Sequence, residues 1–134
     1  MNLKCLIGRV NSMKKRIKVL AVRKTEGKLL LETEHVHDAG NLAAKGQMLV
    51  DSDQFSFIYI LDNGEDFLYI DLSSDIWPHL KEAKNEELPV YAKVGEKEIL
   101  LTQFHEELEF LLENIKGNAN YGEEMEKMVE SVFY

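Results

Sequence analysis

Cysteine, proline and tryptophan are scarce in this chain: of 134 residues one is Cys5, two are proline and one is Trp77. A single thiol cannot form an internal disulfide, which fits a reducing compartment. No repeat at a fixed period, no low-complexity tract and no Pro-rich or Ser-rich linker interrupts the sequence, so no internal domain boundary is expected. Long apolar runs are missing too. The most apolar stretch, Phe55 to Leu61, is broken by Ser56 and is far shorter than the roughly 20 residues that span a bilayer. Near the N-terminus, Lys4 and Arg9 interrupt Leu3 to Val10, so the apolar block of a secretory signal is lacking. A cytoplasmic location without a membrane partner is expected.

Positive charge is also in deficit. Sixteen basic against twenty-four acidic residues give a net charge of −8, a field that repels phosphate backbones. The candidate basic patch is Lys14, Lys15, Arg16, Lys18, Arg23 and Lys24, which reads better as the solvated flanks of a first strand. Nucleic acid is therefore not an expected partner. Hydrophobic content of 45% and charged content of 30% place the chain in the globular range, and its length suffices for one ordinary core.

Three glycine-containing turns, Glu26-Gly27, Asn63-Gly64 and Gly95-Glu96, each separate two β-rich runs and predict three hairpins. Across the first, a two-residue loop pairs Val22 with Leu31 and Leu20 with Thr33. Across the third, the same register gathers Val90, Ala92, Val94, Ile99 and Leu101 and sets Lys93 opposite Glu98. The middle hairpin is apolar on both faces: Phe55, Phe57, Tyr59, Leu61, Leu68, Ile70 and Leu72 share one, and Ile58, Ile60, Phe67 and Tyr69 the other. Such a ribbon needs cover on both sides, either from its own chain or from a second subunit.

A first helix is expected near Asp75 as N-cap, with Pro78 in its first turn and Trp77, Leu80 and Ala83 facing inward. A second spans about Gln103 to Lys116 and stops at Gly117. A third follows Asn120, which with Glu123 has the spacing of a capping box. The fold class is thus α+β: a mostly antiparallel sheet of about six to seven strands built from three hairpins, one short helix between the second and third, and a C-terminal helical hairpin.

Two stretches are distinctive. One is Leu-Val-Asp-Ser-Asp-Gln-Phe-Ser-Phe-Ile-Tyr-Ile-Leu at Leu49 to Leu61; the other is the helical hairpin from Glu109 to Phe133 around Gly-Asn-Ala-Asn-Tyr-Gly. Together they resemble an uncharacterised protein family of Bacillus-type Gram-positive bacteria, the YjbL-like family. The resemblance covers the chain from about Met13 onward and implies a bacterial cytosolic setting, without implying an activity or catalytic residues. Met13-Lys14-Lys15-Arg16-Ile17-Lys18-Val19 looks like the usual beginning of that family. Residues 1–12 are accordingly read as an N-terminal extension and residues 13–134 as a single α+β domain.

Gly117, Asn118, Asn120, Tyr121 and Gly122 form the leading candidate binding site, because glycines and asparagines on a short exposed loop supply unusual backbone angles and side-chain hydrogen bonds. Turn chemistry explains nearly the same residue types and outweighs binding: Gly117 ends one helix, Asn120 caps the next, and Tyr121 pins the loop. A phosphate seat is disfavoured by Glu123 and Glu124, which already occupy the positive end of the helix dipole. His35, His37 and Asp38 have strand spacing for metal ligation, but two histidines without matching further ligands read as polar surface. Asp51 and Asp53 lack the further oxygens and glycine of a calcium loop and read as turn residues at a strand end. His79 and His105 fall on separate helices. Cys5, Ser12, Ser52, Ser73 and Ser74 sit in no nucleophile elbow, and Gly40 and Gly46 in no phosphate fingerprint. No metal and no cofactor is expected.

The leading functional expectation is a small acidic, non-catalytic binding or regulatory module whose partner is another protein, a second copy of the chain included. The competing expectation is an enzyme or small-ligand protein whose site assembles His35, His37, Asp51, Asp53 and Tyr121 from distant positions. The two part on whether the fold gathers any three of these around one concavity.

Overall fold

The computed structural model describes residues 16–34 and 41–134. Among them seven strands and three α-helices alternate: β1 Arg16–Thr25, β2 Lys28–Thr33, β3 Ala43–Asp51, β4 Ser56–Asp62, β5 Phe67–Ser73, α1 Trp77–Asn85, β6 Val90–Val94, β7 Lys97–Leu100, α2 Phe104–Ile115 and α3 Glu123–Phe133. The strands form one curled sheet in the order β3-β4-β5-β1-β2-β6-β7. The α+β class and the three hairpins stand. The sheet is mixed, because β1 lies parallel to β5 and β2 parallel to β6.

Register follows side-chain alternation in all three hairpins. Val22 faces Leu31, Lys93 faces Glu98, and Phe57, Tyr59 and Leu61 face Leu72, Ile70 and Leu68. One expectation fails at Leu20. Val19 takes the place opposite Thr33, and Leu20 is extruded, 69% exposed, at an irregularity between Val19 and Ala21. That bulge lies next to the point where β1 turns from β2 to β5, whose pairing runs through Arg16, Ile17 and Lys18. An extra residue adds local twist, which helps a single strand belong to both halves of a curled sheet.

Curling brings the two sheet edges together. The Tyr59 hydroxyl on β4 donates to the Thr102 carbonyl after β7 at 2.6 Å and accepts the Gly46 N–H of β3 at 3.2 Å. Gly46 adopts φ 64°, and a Cβ there would stand 2.5 Å from Gln103 Oε1, so a side chain would crowd the seam. Glu107 on α2 accepts the Met48 N–H through Oε1 at 3.0 Å, occupying a donor on the edge strand β3.

Tyr59→Phe removes both seam bonds at once and leaves a backbone donor and acceptor short, a loss of about 1–3 kcal/mol in urea unfolding. Burial holds the Tyr59 phenol above its ordinary value. Its contribution is therefore complete at neutral pH and declines once the pH passes about 10, where the unfolded chain ionises first. The gap between parent and Tyr59→Phe is expected to narrow over that alkaline interval and to stay constant below it.

The three helices cover the concave face of the sheet. Trp77 of α1 stacks on Phe57 at 4.8 Å between ring centroids, meets Phe133 of α3 at 5.8 Å, and donates its indole N–H to the Leu72 carbonyl at 2.9 Å. Leu108, Leu111, Leu112 and Ile115 of α2 and Met125 and Val129 of α3 are buried with them. This is the face their helical spacing requires.

Helix ends depart from expectation in detail. Asp75 does not cap α1; it belongs to a 3-10 turn, Ser74–Ile76, and accepts from the Ser73 hydroxyl, while α1 starts at Trp77 with Pro78 in its first turn. Asn120 does not cap α3 either. Gly122 holds that position with no side-chain bond, because a second 3-10 turn, Ala119–Tyr121, takes Asn120 before the helix begins.

On the opposite sheet face Ile58 and Ile60 are covered within the single chain, at 0% and 8% exposure, and cluster with Leu49 and the half-buried Tyr69. Phe67 stays 46% exposed under the Lys45 ammonium. The two-sided ribbon is therefore central in its own sheet, and Ile58 and Ile60 need no second copy to cover them.

Candidate functional site

An open cleft of about 640 Å³ lies where the turn after β3 meets the start of α3, lined by Ser52, Asp53, Phe55, Asn120, Tyr121, Gly122, Glu123, Glu124 and Met125. It joins two chain segments almost 70 positions apart, the same two stretches that are distinctive in the sequence. Its volume falls within the roughly 300–1,000 Å³ of small-ligand sites.

Each wall has a local origin. After β3, Asp51 Oδ1 accepts the Gln54 N–H at 3.2 Å, which folds residues 51–55 back toward β4 and points the chain through Phe55 at φ 53°. That angle costs a side-chain-bearing residue roughly 1–2 kcal/mol, so neighbouring contacts hold Phe55 there. On the other wall, Asn118 does the turn's work. Its Nδ2 donates to the Asn114 carbonyl at 3.1 Å and its Oδ1 accepts the Asn120 N–H at 3.0 Å. Tyr121 is buried, and Gly122 supplies φ 92° to launch α3.

Of the five loop residues proposed for binding, Asn120, Tyr121 and Gly122 line the cleft, whereas Gly117 and Asn118 shape the turn behind it. Asp53 joins them from the opposite wall. Of the assembled-site candidates, Asp53 and Tyr121 meet; Asp51 is turned away into the protein, and His35 and His37, like Asp38 and Cys5, lie outside the described residues. His79 and His105 stay apart, His105 Nε2 lying 2.6 Å from the Leu88 carbonyl. Among the described residues no three His, Asp, Glu or Cys side chains are grouped to hold a metal ion.

Asp51 belongs to a buried ion cluster. Arg16 Nε donates to Asp71 Oδ2 at 3.0 Å, and Arg16 Nη1 stands 2.9 Å from Asp51 Oδ2, off the line of its N–H, as a charge contact without an aligned hydrogen bond. The Arg16 side chain is only 13% exposed and Asp51 is fully buried. Arg16 is thus not a solvated flank of β1: parallel pairing of β1 with β5 carries it between the two carboxylates. Through Asp51 it fixes the turn that makes one wall of the cleft. The other described cations of the basic patch behave differently. Lys18 is exposed, Arg23 pairs with Glu32 at 3.2 Å, and Lys24 bridges Glu82 and Glu86 at 3.1 and 2.6 Å.

Two features of the site lay beyond sequence reading: the participation of Phe55 and Met125, which pattern as core, and the Arg16 cluster, whose members are separated by up to 55 positions. The left-handed Phe55 has no local sequence signal, since glycine or asparagine would be the expected type there.

A family of unknown function, UPF0738, matches residues 17–133. The chain belongs to UPF0738. Among its relatives the UPF0738 protein YjbL of Bacillus subtilis is 45% identical over 121 residues, 90% of this chain and 99% of its own length. A UPF0738 protein of Bacillus pumilus is likewise 45% identical over 121 residues, with the same coverage of both chains. One from Geobacillus sp. is 43% identical over 122 residues, 90% of this chain and 98% of its own. The resemblance carried by Leu49 to Leu61 and by the C-terminal turn is thereby a family relationship spanning both walls of the UPF0738 cleft. No solved structure matches the chain. No helix of the described residues is long and apolar enough to cross a membrane.

Proposed function

We propose that this UPF0738 protein is a non-catalytic binding module of the cytoplasm that engages another protein through the cleft between residues 51–55 and 120–125. The observation that carries the reading is the cleft itself: two distant segments build one open concavity, with Phe55, Tyr121 and Met125 as apolar surface beside hydroxyl, amide and carboxylate groups. That mixture suits recognition, since apolar area supplies affinity and a few polar groups fix orientation. Asn120 is exposed at the rim and so is open to an arriving chain. The single cysteine supports a reducing compartment.

A photo-crosslinking residue placed at Asn120 in the native cell is expected to give a defined protein adduct that the same residue at exposed Glu96, on the β6–β7 turn, does not. The captured protein, purified, should bind the parent chain and lose binding to Asn120→Trp, which fills the cleft from its rim. Equal capture from both positions, or undiminished binding by a folded Asn120→Trp, overturns the reading.

A small molecule is the second reading, favoured by the cleft's volume alone. It would show as Asn120→Trp abolishing binding of a metabolite, with no protein adduct formed.

A further inference from the structure

Resting on that reading, we infer that the occupant of the cleft is a cationic side chain, lysine or arginine, carried on an exposed segment of the partner protein. Three carboxylates line the cleft, Asp53 on one wall and Glu123 and Glu124 on the other, and its lining contains no lysine, arginine or histidine. Glu123 and Glu124 alone would say little, because acidic residues in a first helical turn complement the helix dipole. Asp53 owes nothing to that dipole: it sits on a different element, before β4, and adds its charge from across the cleft. Among the described residues Glu123 and Glu124 form no ion pair, so the α3 wall holds charge that its own fold leaves unneutralised.

The surface between the charges is apolar. Phe55, Tyr121 and Met125 offer the kind of surface along which the alkyl stem of lysine or arginine packs while its charged head reaches carboxylates. Ser52 adds a hydroxyl oxygen that is shielded from solvent and lacks a hydrogen-bond partner at the same wall. A net charge of −8 over the chain steers a basic segment inward and turns phosphorylated or acidic ligands away.

The test is an NMR titration of the full chain, isotopically labelled, with four short peptides of one framework bearing lysine, arginine, acetyl-lysine or glutamate. Lysine and arginine peptides are expected to shift the amides of Ser52, Asp53 and Asn120 to Met125 selectively, with affinity that falls as salt rises. Glu123→Gln/Glu124→Gln should bind them roughly three- to tenfold more weakly, the size expected for two exposed ion pairs. Glu126→Gln removes a first-turn charge that does not line the cleft and should bind as the parent does. Shifts of equal size from acetyl-lysine would overturn the cationic assignment while leaving the cleft a binding site. Shifts scattered over the acidic surface would overturn it as non-specific attraction. Silence of the cleft to all four peptides overturns it as well, and the crosslink at Asn120 then decides separately whether the cleft binds protein at all.

Discussion

Arg16→Met is expected to unfold at a urea midpoint lower by about 1 M or more, because it leaves Asp51 and Asp71 buried beside one another's charge without a cation. Removing one partner of a buried ion pair costs about 3–5 kcal/mol, chiefly through the stranded charge. Divided by a urea slope of about 1–3 kcal/mol/M, that loss gives the midpoint shift. The geometry makes the effect larger than for any surface pair here. Arg16 lies 3.0 Å from Asp71 and 2.9 Å from Asp51, whereas Lys24 with Glu82 and Glu86 is open to water and screened. Adding Asp51→Asn and Asp71→Asn to Arg16→Met removes the stranded charges and should restore most of the stability. If the triple variant is no better than the single one, the cost lies in lost packing of the arginine stem. The single variant should also move the amide resonances of Ser52 to Phe55, since Asp51 shapes that turn and Arg16 holds Asp51.

Replacing Trp77 by alanine empties the centre of the helix-covered core. The indole is fully buried between Phe57 and Phe133, and large-to-small changes at such positions cost about 3–5 kcal/mol. For a domain of this size the melting temperature should fall by roughly 10–20 °C, read by circular dichroism because the only tryptophan is gone. Trp77→Phe keeps an aromatic face against Phe57 and forfeits the hydrogen bond to the Leu72 carbonyl, so its loss should be well under half as large. Trp77 joins α1, β4 and α3. Its removal therefore loosens the seating of α3, and with it one wall of the cleft.

Much of the fold was legible because local rules agree with one another. Alternation of apolar residues in β4 and β5, together with the turn at Asn63-Gly64, is enough to set Phe57 opposite Leu72. The same applies to Lys93 opposite Glu98, and to the faces of α2 and α3. What escaped were features that depend on a neighbour brought from elsewhere. Leu20 is extruded because β1 must serve both β2 and β5, and neither demand is visible in the strand itself. Asn120 lost its capping role to Gly122 because a 3-10 turn intervenes, a choice between two short-range bonding patterns of similar energy.

The candidate site divides in the same way. Asn120, Tyr121 and Gly122 stood out by residue type, and Asp53 by its place in a turn, yet nothing in either segment says that they face each other. Arg16 reads in sequence as one more cation of a basic run. The sequence by itself determined the elements, the pairing registers and the apolar faces, because these follow from periodicity and from the backbone preferences of single residues. Only the tertiary structure decided that β1 would lie parallel to β5, that a lone arginine would be buried between two aspartates, and that the turns at 51–55 and 120–125 would enclose a cleft. Those outcomes turn on chain crossings between segments far apart, where the free energy is set by what each segment meets and not by what it contains.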